Sequence, residues 1–168
     1  PKVGCIRSWD HNRDKWQYPV IIDNMMNLEL LFWAFRTNGD SIFYQVAVDH
    51  ARTTMKNHFR KDYSSYHVID YDTLTGAVLH KNTQSGVFRC FGLVAWTSVG
   101  DCTAIRCAIE KTGLPEFLER AKQIASYIFS NPTLPDDLIP YWDYNAPGIP
   151  DEPRDVSAAP LRLLLFTS

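Results

Sequence analysis

Long apolar runs are missing from this 168-residue sequence. None approaches the ~18 residues that span a bilayer, so a membrane-embedded protein is not expected. A one-sided charge is missing too. Lys and Arg number 17 against 19 Asp and Glu, giving a formal net charge of -2. With no long basic stretch, a general nucleic-acid or anionic-membrane surface is not indicated. The four cysteines, at 5, 90, 102 and 107, form no CxxC pair and have no histidine spacing typical of zinc, so neither a metal centre nor a disulfide framework is expected. GxGxxG, P-loop, HExxH and GxSxG patterns are all absent. The opening PKVGCIRSWDHNRDKW has neither an initiator Met nor a signal-peptide pattern, so the true N-terminus is expected elsewhere. Either cytoplasm or periplasm remains open for a soluble protein.

Aromatics, by contrast, are plentiful. They make up 13% of a chain that is 45% hydrophobic and 21% charged, and include five Trp and eight Tyr. The balance is that of a globular protein with one core. The aromatic excess suits either packing or a surface that stacks flat faces on a ligand.

Val20 to Arg36, VIIDNMMNLELLFWAFR, predicts a buried helix stopped by Asn38-Gly39. Asp40 or Ser41 caps a second helix, SIFYQVAVDHARTTMKNHF, with Ile42, Val46 and Asp49 or Ile42, Gln45 and Asp49 as alternative faces. The two form a helical hairpin. YHVIDYDTLTGAVLHKN reads as a small β-hairpin turning at Asp72 to Gly76. Pro115 opens an amphipathic helix with Phe117, Ile124 and Ile128 on its apolar stripe. Asn131 to Arg154 holds most of the ten prolines and predicts an irregular, packed loop before another helix near Asp155. Antiparallel helix pairs with long loops describe an all-α assembly.

Three segments could carry chemistry. Asp23 lies among Val20, Ile21, Ile22, Met25 and Met26. Such company desolvates a carboxylate and favours its protonated form, as a general acid requires; alternatively Asp23 caps the helix. His67, in DYSSYHVIDYD, alternates onto a face with Ile69 and opposite Val68 and Asp70. By itself it reads equally as a packed residue. Trp9, His11 and Trp16, in SWDHNRDKW, form a polar-aromatic segment of the kind that stacks on sugar rings or packs at a surface. Asp10 and Asp14 suggest a solvated loop, and DEPRD a loop end rather than a cation site.

The blocks CIRSWDHNRDKWQYPVIIDNMMNLELLFWA, HARTTMKNHFRKDYSSYHVIDYD and PYWDYNAPGIPDEPRDVSAA resemble the unsaturated glucuronyl hydrolases of glycoside hydrolase family 88. The resemblance implies an (α/α)6 barrel of the six-hairpin type. This chain would supply about half of the toroid, the C-terminal half, plus a small β-hairpin. It implies release of a 4,5-unsaturated uronic acid from the non-reducing end of lyase-generated oligosaccharides, without metal or cofactor. Asp23 would be the acid and base, His67 and Trp9 would contact substrate, and Asn24, grouped with them as substrate-binding, would adjoin the acid and orient it. A second aspartate important to the family would lie upstream. An unsaturated rhamnogalacturonyl hydrolase is the same-fold alternative; a non-catalytic carbohydrate-binding helical protein is the alternative of another class.

The resemblance breaks between residues 84 and 109. There the chain reads QSGVFRCFGLVAWTSVGDCTAI, where the family pattern is close to QGYSDxSAWxRGQAWGLYGYT. Read one base later, permitted codons for Val87 to Gly100 give YSDASAWSRGQAWG. The tail after Ala159 behaves likewise. Residues 84–109 and 160–168 are therefore expected to be frame-shifted, in a single incomplete catalytic domain spanning 1–168. Little or no activity is expected of the polypeptide as printed.

Overall fold

The computed structural model describes residues 2–83 and 105–158. In chain order these form strand β1 (Pro19–Ile21), a 3-10 segment (Ile22–Asn27), helices α1 (Leu28–Asn38) and α2 (Ser41–Asn57), strands β2 (Val68–Tyr71) and β3 (Val78–Asn82), helix α3 (105–112) and helix α4 (Pro115–Phe129). No described helix is long and apolar enough to cross a membrane.

The helix expected from Val20 begins only at Leu28. Val20, Ile21 and Ile22 are β-branched and favour extended backbone. Strand β2 is at hand to take their hydrogen bonds, so Pro19–Ile21 pairs antiparallel with Val68–Asp70 and Ile22–Asn27 makes a tight 3-10 transition into α1. Helix α1 is also not buried all round. Leu28 and Phe32 face the core, while Leu30 and Trp33 are 65% and 61% exposed.

Helix α1 ends as expected. Gly39 takes φ 75° and its N–H returns to the carbonyl of Phe35, a left-handed cap that suits glycine. Asp40 then caps α2, its carboxylate accepting the N–H of Ile42. The buried face of α2 is neither of the two expected. Ile42 and Val46 are exposed, and Ala47, Val48, His50, Ala51 and Thr54 turn inward. The small Ala47 and Ala51 admit the side chains of neighbouring helices closely, an advantage that apolar periodicity does not register.

The main core joins Ile22, Met25, Leu28 and Phe32 to Ala47 and Ala51, to Ile105 and Ala108 of α3, and to Phe117, Ile124 and Ile128 of α4. Pro115 occupies the first turn of α4, and the stripe read from the sequence is the buried one. The proline-rich segment after α4 is irregular yet packed: Tyr144 is fully buried in the same core, and Trp142 Nε1 donates to Glu152 Oε2 at 2.9 Å. Asp155 Oδ1 accepts the N–H groups of Ser157 and Ala158, as the start of a helix requires.

The expected hairpin is present, but as part of a three-stranded sheet ordered β1-β2-β3. All four residues of the central strand β2 are buried, so the inside-outside alternation that placed His67 does not hold. Val3, Cys5, Val20, Ile69 and Tyr71 make a second, smaller core against the sheet. The 84–104 and 159–168 parts of the frame-shift reading lie outside the described residues; 105–109 belong to α3.

Candidate active site

The sheet places the site. Ile21 pairs with Val68, and the N–H of Ile22 donates to the carbonyl of His67 at 2.9 Å. One residue beyond each contact stand Asp23 and His67, and Nδ1 of the histidine lies 3.4 Å from Oδ2 of Asp23. Asp23 caps neither helical segment: Ile21 is the N-cap of the 3-10 segment and Asn27 that of α1, both without a side-chain cap bond. The side chain of Asp23 is 26% exposed and that of His67 16%. Oδ2 of Asp23 is nevertheless buried and has no hydrogen-bond partner. Burial pushes the imidazole of His67 below its ordinary pKa, and the Asp23 carboxylate partly offsets this.

Asn24 is buried, and its amide nitrogen is committed elsewhere. It donates to the carbonyl of Ile6 and to Oγ of Ser8, each at 2.9 Å. Ser8 Oγ also accepts the N–H of Ile21 at 2.8 Å. These bonds pin the N-terminal segment, and Trp9 with it, beside the turn that carries Asp23. The amide nitrogen of Asn24 thus fastens the chain that bears the tryptophan.

Trp9 is half-buried, and its indole N–H is a buried donor with no partner. Its ring stacks on His11 at 5.9 Å and meets Trp16 edge-on at 5.7 Å. Trp16 in turn lies 5.4 Å from the ring of His80 on β3. The sequence-predicted residues Asp23, His67, Asn24 and Trp9 thus come from two chain segments that β1–β2 pairing unites. Asp10 is exposed and tied to Arg13 and Arg7, away from any such role.

Three supporting residues escaped the sequence reading. Ser8 bridges β1 and Asn24. Asp70, only 1% exposed, accepts the N–H groups of Gln17 and Tyr18 at 3.1 and 2.7 Å and has His80 Nε2 at 3.7 Å. His50 Nδ1 accepts the N–H of Ile6 at 3.0 Å, and so holds the same N-terminal segment from α2. A carboxylate in the middle of an apolar strand, as in VIDY, was the one available signal for Asp70.

Among the described residues no group of three or more His, Cys, Asp or Glu is placed to hold a metal ion. Cys5 is buried, and burial raises its thiol to about 12, so it is not a nucleophile at neutral pH.

No protein-family profile matches the chain. It is 48% identical over 160 residues to an unsaturated glucuronyl hydrolase of Formosa agariphila, an alignment covering 94% of this chain and 39% of that protein. The fold superposes with a TM-score of 0.90 on the crystal structure of an unsaturated glucuronyl hydrolase specific for heparin, at 46% identity, covering 95% of this chain and 42% of the other. The chain is a homologue of the unsaturated glucuronyl hydrolases. A variant of the enzyme from Streptococcus agalactiae, complexed with dGlcA-GalNAc6S, is 28% identical, with a TM-score of 0.67 over 82% of this chain and 36% of that one. The chain spans about two fifths of the length of these glucuronyl hydrolases.

Proposed function

We propose that the site acts on a 4,5-unsaturated uronic acid at the non-reducing end of an oligosaccharide, with Asp23 as acid and base. The observation that carries this is the buried Oδ2 of Asp23, which makes no hydrogen bond and lies 3.4 Å from His67 Nδ1, next to the segment bearing Trp9. In the reaction, the acid form of Asp23 delivers a proton to C4 of the vinyl ether, and positive charge develops at C5 and the ring oxygen. The carboxylate so formed takes a proton from a water that attacks C5. The resulting hemiketal opens and expels the aglycone, leaving Asp23 protonated again. One carboxyl group serves both steps. This differs from the paired carboxylates of ordinary glycosidases, which work at the anomeric carbon.

His67 sits within reach of the same carboxylate oxygen and contributes a polar contact to substrate or water. Trp9 offers an apolar face to a sugar ring and an unpaired N–H to one of its oxygens. Asn24 acts beside them by fixing the segment that carries Trp9.

The same reading makes the chain part of an (α/α)6 barrel whose domain is incomplete here, with residues 84–109 and 160–168 out of frame. The two-fifths coverage of the relatives supports it, and an accurate resequencing that confirmed the printed codons would remove the frame-shift half of it. Turnover is therefore proposed for the full-length, frame-restored protein, and little or none for this chain alone. The test follows the absorbance of the unsaturated uronate on adding protein to lyase-digested glycosaminoglycan. The frame-restored protein should bleach it and its Asp23→Asn variant should not; equal turnover by the two would remove Asp23 from the chemistry.

A further inference from the structure

The geometry points to a directed hydrogen-bond relay along the buried face of α2, from His50 through Thr54 to His58 with an internal water at each gap, that positions Asp23 from two sides.

His50, Thr54 and His58 recur at every fourth position along α2 and its C-cap, so they share one stripe, and all three are 0% exposed. Each carries a buried polar atom with no hydrogen-bond partner: Nε2 of His50, Oγ1 of Thr54 and Nδ1 of His58. Leaving such atoms unpaired is costly. Thr37 and Thr112, on α1 and α3, satisfy their hydroxyls by donating to the carbonyls of Trp33 and Ala108, four residues back. Thr54 does not. It lies against the thiol of Cys5, which is a weak partner. The polarities along the stripe match. Nδ1 of His50 accepts the N–H of Ile6 at 3.0 Å, so the neutral ring holds its proton on Nε2. Nε2 of His58 lies 3.1 Å from the carbonyl of Val20, which can only accept, so that ring too is protonated on Nε2 and offers Nδ1 as an acceptor. Burial keeps both rings neutral, at about 4 and about 3. The stripe thus begins with a donor, ends with an acceptor and has between them a hydroxyl that can be both.

The three side chains do not bond one another. A water in each gap accepts from one and donates to the next, with the two polar partners that a buried water needs. Both ends of the relay lead to Asp23. Ile6, held by His50 at its N–H, accepts the amide of Asn24 at its carbonyl, at 2.9 Å. Val20, held by the ring of His58, belongs to β1, which runs into the Asp23 turn. The backbone carbonyl of His58 also accepts the N–H of Tyr66, the residue before His67, at 2.7 Å. Moving the proton of His58 to Nδ1 would set a bare nitrogen against the Val20 carbonyl, and moving that of His50 would set two N–H groups against each other. The relay therefore fixes which nitrogen faces each segment. His50, Thr54 and His58 are positioning residues that act through Ile6, Val20 and Tyr66.

The effect on turnover rests on the proposed function; the relay itself does not. Imidazole nitrogen NMR of the chain should find both rings protonated on Nε2 and a slowly exchanging hydroxyl proton on Thr54. Thr54→Val, which keeps the shape and removes the hydroxyl, should shift the bare Nδ1 of His58, and Thr54→Ser should restore it. In the full-length, frame-restored protein Thr54→Val should lower kcat about ten- to a hundredfold, as a displacement of roughly 1 Å at the acid would, with KM little changed and Thr54→Ser recovering most of the loss. A purely structural role would lower stability and leave the kcat of the folded protein as it was. A proton on Nδ1 of either ring in the wild-type chain overturns the relay, even if Thr54→Val does not fold. Ring spectra unchanged by Thr54→Val overturn it as well. A wild-type kcat in Thr54→Val overturns the positioning role. Absence of turnover in the wild-type protein removes the proposed function, and the ring spectra of the chain still decide the relay.

Discussion

Oδ2 of Asp23 stands 3.4 Å from Nδ1 of His67, whose carbonyl accepts the N–H of Ile22, the residue before Asp23. The two residues are far apart in sequence, and backbone pairing alone sets their separation. A register slip of a single residue would send one of them to the other side of the strand.

In the full-length, frame-restored protein, Asp23→Asn should lower turnover of an unsaturated disaccharide on the order of a hundred- to ten-thousand-fold, the range of a lost acid-base group. Because Oδ2 makes no hydrogen bond and the residue caps no helix, stability should stay within about 0.5 kcal/mol. A variant that unfolds would show a structural task for the carboxylate.

The carboxylate of Asp23 also favours the imidazolium form of His67 against the larger effect of burial. Removing that charge in Asp23→Asn should lower the His67 pKa further. The titration of its ring proton, followed by NMR in both proteins, reads this directly. An unchanged or raised value would mean that the two groups do not interact.

Two histidines of a different kind control the acid stability of the fold. Burial pulls His50 down to about 4 and His58 to about 3, while both take the ordinary value of 6.5 when unfolded. Above that value neither state binds the proton and there is no contribution. Below it the unfolded chain is protonated and the folded one is not, so stability falls as pH falls, by up to about 1.4 kcal/mol per pH unit for each group, until the folded values are reached. His67, also shifted down, adds in the same direction. Urea titrations at pH 6.5 and 5.0 should show the loss, above the range where carboxylates titrate. Equal midpoints at the two values would contradict it.

Asp70→Ala leaves the N–H groups of Gln17 and Tyr18 without their acceptor in a nearly dry setting. The expected cost is about 2–4 kcal/mol, the desolvation penalty of the two donors. Asp70→Asn keeps one oxygen and should cost clearly less. Denaturant unfolding of both variants makes the comparison, and equal destabilisation would point to packing rather than hydrogen bonding.

Where local chemistry decides conformation, the sequence alone was sufficient. The left-handed cap at Gly39, the Asp40 cap, the Pro115 start of α4 with its Phe117–Ile124–Ile128 stripe, and the hairpin through Asp72 to Gly76 all depend on near neighbours. Continuous motif resemblance is likewise what brings Asp23, His67, Trp9 and Asn24 forward as the residues proposed for the site.

Tertiary structure decided the rest. Whether Val20–Ile22 coils or extends depended on β2 being present to receive its hydrogen bonds. Which face of α2 is buried depended on how closely its neighbours could approach Ala47 and Ala51. That Asn24 holds Ser8 and Ile6, and that Asp70 holds the loop of Trp16, depended on desolvation: a polar group sealed from water must find a partner, and only the folded chain says which one is in reach.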